Sequence, residues 1–392
     1  MTSAKSAKSI GYYGILFFGL MSLLADIVYE GGRSIIPELL RTLGASAVVV
    51  GAITGLGELI GYVFRLPSGL LADRSGKYWP FLALGYGCIF FIPALSLTDK
   101  WELVALFIFM ERFGKAVRTP SRDATISFIA RDIGTGKAFG IHEVLDQIGA
   151  LIGPVLVSVA VALSMNNIRL SLSTLVVPAL ATMLVICVAY FKLRNTIGLR
   201  PRYEAAPQLL KTLDKRFWMY NLIAALSVVG FLHYSLIAYR AGGVIEPWLI
   251  PLLYAAAMGV DALAAGVLGF AYDRFKLKIF WLIIPLSALP AVLSVKGNAL
   301  LLSLAILMYG VGIGAQESIY RSVIADLSPL EARATAYGVF NMIYGFAWLA
   351  GGFIMGLMYD LSAAVGPLLV AIFSVTCQLT AALAFFFLLK KS

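Results

Sequence analysis

The chain has 392 residues, 60% of them apolar and only 13% charged, with a mean hydropathy of +0.89. A soluble domain of this composition would expose far more apolar surface than water tolerates, so a soluble globular class is excluded. The net charge of +10 would suit a polyanion, but the basic residues sit in alternate loops instead of one patch. That is the pattern of membrane topology and argues against a nucleic-acid partner.

About 20 apolar residues cross a bilayer. The sequence divides into twelve such runs, predicted at 10–39, 46–72, 78–98, 101–127, 136–164, 170–192, 216–240, 247–272, 277–296, 299–325, 333–359 and 363–389. Lys5 and Lys8 ahead of the first run mimic a secretory signal. Asp26 and Glu30 interrupt that run and many spans follow, so an uncleaved first helix is expected. Lys5, Arg74, Lys77, Arg131, Lys137, Arg274, Lys276 and Lys390 fall on one side, whereas the opposite loops hold little more than Arg41, Lys100, Arg169 and Lys296. The positive-inside rule then predicts a multi-pass protein of the cell membrane with both termini cytoplasmic. Residues 191–216 form the one long polar stretch, broken by Pro201 and Pro207. It reads as a cytoplasmic linker at 193–215 between an N-terminal six-helix bundle at 1–192 and a C-terminal six-helix bundle at 216–392, an all-α membrane protein. Cys88, Cys187 and Cys377 are scattered in apolar runs without metal-ligand spacing, so neither a metal nor a disulfide is inferred.

Between the second and third runs lies Gly69-Leu70-Leu71-Ala72-Asp73-Arg74-Ser75-Gly76-Lys77, a tight charged turn. A second copy follows about two hundred residues on, Gly269-Phe270-Ala271-Tyr272-Asp273-Arg274-Phe275-Lys276. Glycine lets helix ends approach, aspartate can cap a helix start, and arginine and lysine hold the turn at the cytoplasmic surface. Ala138-Phe139-Gly140 likewise recurs as Ala336-Tyr337-Gly338 at nearly the same offset. Internal duplication at half the chain length points to a transporter with substrate bound near the midplane between its halves.

The first turn resembles motif A of the major facilitator superfamily: Gly69, Leu71, Ala72, Asp73, Arg74, Gly76 and Lys77 match, and Tyr78 replaces the usual second basic residue. Gly140, Gly149, Gly153 and Pro154 reproduce most of motif C, the antiporter motif of proton-coupled exporters, with Val157 and Ser158 in place of its closing glycine pair. Small-residue helix packing alone explains the same glycines. The resemblance implies a twelve-helix fold with a central cavity and alternating access. Gly69, Asp73, Arg74, Gly76 and Lys77, with Gly269, Asp273 and Arg274, would then form the inner gate.

Ionisable residues inside spans need a reason to be there. The first span carries Asp26, Glu30 and Arg33 at helical spacing, so one base faces two acids. Either the set is an internal ion cluster, or one carboxylate, Asp26 being the deeper, takes up a proton or a cationic substrate group. The fourth span carries Glu111, Arg112, Lys115, Arg118 and Arg122 as a polar stripe. Around Arg112 it loosely resembles motif B, whose basic residue is associated with proton coupling; Arg118 and Arg122 read as surface anchors. In the fifth span, His142-Glu143-Val144-Leu145-Asp146 narrowly misses the H-E-x-x-H zinc motif. His142 and Asp146 share a helix face and, with Asp26, can relay protons or bind a divalent cation; alternatively Asp146 pairs with a base of the first or fourth span. In the second half the inward candidates are His233, Arg240, Asp261, Glu317 and Arg321, the last two spaced as a self-satisfying pair.

No G-x-S-x-G, complete H-E-x-x-H or P-loop is present, so no enzyme is expected. The leading expectation is a monomeric, proton-coupled exporter of small cationic or amphipathic organic compounds, driven by the proton gradient without a cofactor. One alternative is a carrier of divalent metal or another organic solute using His142 and His233. Another is a receptor or scramblase-like protein, although a receptor needs no symmetric gates.

Overall fold

The computed structural model describes residues 2–130, 134–194, 213–329 and 333–390. Most of the linker expected at 193–215, and Arg131, lie outside them. The regular elements among the described residues are all helical. They are α1 (Thr2–Thr42), α2 (Ala47–Val63), α3 (Arg65–Ser75), α4 (Tyr78–Gly87), α5 (Trp101–Ile129), α6 (Thr135–Leu163) and α7 (Val176–Leu193). After the linker come α8 (Lys215–Val229), α9 (Tyr234–Ala241), α10 (Leu249–Phe275), α11 (Phe280–Leu293), α12 (Ala299–Ala315), α13 (Arg321–Leu327), α14 (Arg333–Leu361) and α15 (Gly366–Lys390), with short 3₁₀ and other turns between some of them.

Among the described residues, ten helical stretches are long and apolar enough to cross a bilayer. One of them, Leu249–Leu293, has 45 residues, about twice what a single crossing needs. It contains α10 and α11, and it turns at Lys276, which has a φ of +48°. Helix α5 is not among the ten. At 29 residues it is long enough, but its charges lower its hydropathy.

The described residues form two compact units. One comprises residues up to 35 and 60–194; the other comprises 36–59 and everything from 213 onward. In the second unit α10 and α12 pack backbone to backbone, because a side chain at Gly310 would collide with the Ala257 carbonyl and one at Gly314 with that of Asp261. The start of α2 is held there by α14: the Asp360 carboxylate accepts the Ala47 and Val48 N–H groups at 2.9 and 2.8 Å. A carboxylate at a helix N-terminus satisfies donors that the helix itself cannot.

The charged turn after α3 has a simple cause. Gly76 adopts φ +63°, and its N–H closes the helix onto the carbonyls of Ala72 and Asp73. That left-handed cap suits glycine because a Cβ is crowded there. Tyr78, standing where motif A usually has its second basic residue, donates its hydroxyl to Asp73 Oδ1 at 2.8 Å. In the second copy Lys276 occupies the place of Gly76 and also has positive φ. Gly76→Ala is therefore expected to cost about 1 kcal/mol, read as a lower melting temperature of the detergent-solubilised protein.

Candidate functional site

The charged residues of the first unit converge from three helices. Helix α1 supplies Ser22, Asp26, Tyr29, Glu30 and Arg33 at steps of three and four, so they share a face. Helix α5 supplies Glu111, Arg112, Lys115, Arg118 and Arg122, and α6 supplies His142 and Asp146. Asp26, Glu30, Glu111, Arg112, Arg118 and His142 are all buried.

Tyr29 is the hub of the α1 face. Its ring lies under the Lys115 ammonium at 3.7 Å and the Arg112 guanidinium at 4.6 Å, with Arg33 at 6.0 Å. A ring face attracts cations most strongly where water is excluded. Arg33 also reaches Glu30 at 3.6 Å. Glu111 faces Arg118 at 3.6 Å, an ion-pair distance too long for a hydrogen bond. The Arg118 guanidinium lies 5.0 Å from the centre of the Tyr86 ring and donates to the Gly85 carbonyl at 3.4 Å, both on α4. Deeper toward α6, the Ser22 hydroxyl donates to Asp146 Oδ1. Arg122 donates to Ser22 Oγ at 3.4 Å and to Asp123 at 2.9 Å. Asp26 lies in the electrostatic field of Asp146, Lys115, Glu30 and Arg118 together. His142 sits among Arg122, Asp146 and Asp123, and its Nε2 has no hydrogen-bond partner among the described residues.

The glycines of the motif C segment place α6 against α1. A side chain on Gly149 would strike the Leu23 carbonyl, and one on Gly153 the Ile27 carbonyl, so the two backbones touch on either side of Asp26. Gly140 faces open space. Pro154, also inside α6, leaves the helix continuous.

Several expected residues are thus brought together: Asp26, Glu30, Arg33, Glu111, Arg112, His142 and Asp146. Glu143 is not. It is exposed and accepts from Gln147 at 3.4 Å. Arg118 corrects the surface-anchor reading, being buried against α4, and Arg122 turns inward to Ser22. Tyr29, Lys115 and Ser22 complete the cluster. Their only prior signal was helical spacing from Asp26 and Glu111.

In the second unit the arrangement is different. His233 caps α9, its Nδ1 accepting the Ser235 N–H at 3.0 Å, and its ring abuts Trp348 at 4.8 Å and Tyr309 at 6.2 Å. Asp261 is buried on α10 beside the Gly314 seam. Glu317 and Arg321 are exposed. Arg240 is not an inward ligand: it donates to the Ser294 and Val295 carbonyls at 2.8 and 2.9 Å, closing the end of α11. His142 and His233 fall in separate units. Of the turn residues, a side chain at Gly69 would come within 3.3 Å of Pro120, while Arg74, Lys77, Asp273 and Arg274 are exposed and a side chain at Gly269 would meet open space.

The sequence pattern of the Major Facilitator Superfamily matches residues 16–242. An uncharacterized protein of Mycobacterium tuberculosis is 36% identical over 369 residues, covering 91% of this chain and 89% of the relative. The multidrug resistance protein MdtH of Proteus mirabilis is 23% identical over 380 residues, covering 92% and 90%. A crystal structure of a mutant of the nucleoside transporter NupG superimposes with a TM-score of 0.77 at 15% identity, covering 96% of this chain and 99% of that one. The chain belongs to the major facilitator superfamily, and its fold is that of a membrane transporter of small molecules rather than an enzyme.

Two outcomes follow from the geometry. Glu111→Gln leaves Arg118 charged in a dry contact and is expected to cost about 3 kcal/mol, whereas Glu111→Leu combined with Arg118→Met recovers most of the loss; SDS-induced unfolding compares the two. Gly149→Ala and Gly153→Ala each force α1 and α6 apart and lower the melting temperature, while Gly140→Ala leaves it within the error of wild type.

Proposed function

We propose that this protein is a secondary active transporter that exports a small cationic or amphipathic organic compound in exchange for protons. It works by alternating access between two six-helix halves, 1–192 and 216–392. In this reading the ten apolar stretches become twelve crossings, since α5 spans despite its charges and Leu249–Leu293 crosses twice. Both termini face the cytoplasm, and a monomer works in the cell membrane on the proton gradient without a cofactor.

The observation that carries the proposal is the placing of Asp26 and Asp146 within electrostatic reach of each other on helices whose backbones touch, with Ser22 and Arg122 beside Asp146 and Lys115 facing Asp26. Two carboxylates close together in an apolar interior repel when both are ionised, and the bases beside them take up whichever charge remains. A proton arriving at Asp26 or Asp146 then changes which base each acid holds, and with it the fit of α1 against α5 and α6. Glu30, Arg33, Glu111 and Arg112 keep the set balanced around Tyr29. His233, Asp261 and the aromatic wall of the second unit offer the solute its contacts, with Glu317 and Arg321 at the edge. Asp73 and Arg74, with Asp273 and Arg274, act at the inner gate. The similarity to MdtH supports export of organic compounds.

A second reading is favoured by the crowding of Arg33, Arg112 and Lys115 on one ring: an organic-solute carrier of the same fold whose solute is an anion.

Reconstitution into liposomes with an imposed pH gradient tests both. A cationic dye is expected to move with a matching proton flux, and Asp26→Asn or Asp146→Asn should lower that flux at least tenfold, about 1.4 kcal/mol in the rate-limiting step. Unchanged dye and proton flux in the double variant would remove the coupling assignment. Transport of an organic anion without dye movement would select the second reading.

A further inference from the structure

The first unit carries a groove unrelated to the charged cluster. It lies between the start of α4 and the end of α7 and has a volume of about 800 Å³, within the range of small-molecule sites. Its floor is apolar and aromatic, formed by Trp79, Pro80, Ala83, Met183, Ile186 and Tyr190. Two cations stand on its rim, Lys77 and Arg194, and among the described residues no carboxylate lines it. Asp73 on the preceding turn does not line the groove, and its Oδ1 accepts the Tyr78 hydroxyl at 2.8 Å. Arg194 lies over the rings of Tyr190 and Phe191 at 5.6 and 5.7 Å, and Trp79 meets Tyr190 edge-on at 5.4 Å, so aromatic stacking places the guanidinium at the rim. Neither Lys77 nor Arg194 has a carboxylate partner among the described residues.

We propose that this groove binds an anionic phospholipid, its phosphate between Lys77 and Arg194 and the upper part of an acyl chain along Trp79, Ala83 and Ile186. Three observations select that occupant. Both cations lie at one end of α4 and α7, where a headgroup sits when the two helices span the bilayer. The apolar floor runs from them along the spanning direction, as a chain does. The missing carboxylate removes the partner a zwitterionic headgroup would need for its ammonium, so the rim discriminates by charge. A lipid held there would rest on the turn that carries Asp73, Arg74 and Gly76. The site is independent of which solute is carried.

Bromine-labelled phosphatidylglycerol and phosphatidylcholine, each titrated into micelles of the full-length protein, report occupancy by quenching Trp79. Its signal is isolated as the difference from Trp79→Phe. Phosphatidylglycerol is expected to reach half-maximal quenching at a fraction at least about fivefold below phosphatidylcholine, because each cation near an anionic headgroup contributes roughly that factor. Arg194→Gln should remove about fivefold of the preference, and Ala83→Leu, which fills the floor without touching charge, should weaken both lipids. Equal quenching by the two lipids overturns the proposal. So does a preference that survives both Arg194→Gln and Ala83→Leu, and so does displacement by an equal concentration of inorganic phosphate, which would mark a free-anion site.

Discussion

A charge taken out of water must meet its opposite, and this one requirement organises the first unit. Helix α5 carries Glu111, Arg112, Lys115, Arg118 and Arg122 within three turns or so, too many to face lipid. Their partners lie on different neighbours: the Gly85 carbonyl and Tyr86 on α4 for Arg118, Tyr29 on α1 for Arg112 and Lys115, and Ser22 on α1 for Arg122. Satisfying all of them at once sets the rotation of α5 against both neighbours. The same interactions that hold the unit together are therefore the ones a proton or a charged solute would disturb.

The glycine seams set how far that disturbance can reach. Where Gly149 and Gly153 meet α1, backbone touches backbone and no side chain absorbs a shift. A small change at Asp26, which lies between the two contacts, must be passed on to the helices as rigid bodies. Bulkier residues at these places would both open the seam and let side chains take up the motion. The glycines thus serve packing, and under the proposed alternating access the same contacts would serve transmission, so the packing reading of the motif C segment does not compete with the functional one.

Much of this was legible in the sequence because it depends on local spacing. The predicted runs at 247–272 and 277–296 lie close to α10 and α11, and the turn at Gly76 follows from a glycine placed after an apolar helix. Helical steps of three and four correctly put Asp26 and Glu30 on one face. What escaped was any interaction with a distant partner. Arg118 and Arg122 near the end of a span look like residues whose heads reach the membrane surface; only the approach of α4 and α1 turns them inward. Arg240 looks like a mid-membrane ligand until the end of α11, fifty residues on, presents it with two free carbonyls. The Asp360 cap on α2 spans more than three hundred residues and has no linear signal at all.

The two units differ in their interiors. Where the first has guanidinium, ammonium and carboxylate, the second has amides, hydroxyls and rings. Ser227 donates to Gln378, Gln378 donates back to the Ser227 carbonyl, the Tyr320 hydroxyl lies 2.9 Å from Ser227, and Tyr344 donates to Gln316. Phe231 stacks on Tyr309 at 5.5 Å, and His233 meets Trp348 edge-on. The amide and hydroxyl part of this network keeps one geometry over a wide range of pH, because Ser227, Gln316, Tyr320, Tyr344 and Gln378 do not change charge near neutrality. Such a difference suits the proposed function, in which one half responds to protons while the other keeps a constant surface for the solute. Two buried acids of the second unit stand apart from that network: Glu38 is held by Arg41 at 2.7 Å, and Asp261 lies beside the Gly314 seam, where a change of charge would be felt by two helices.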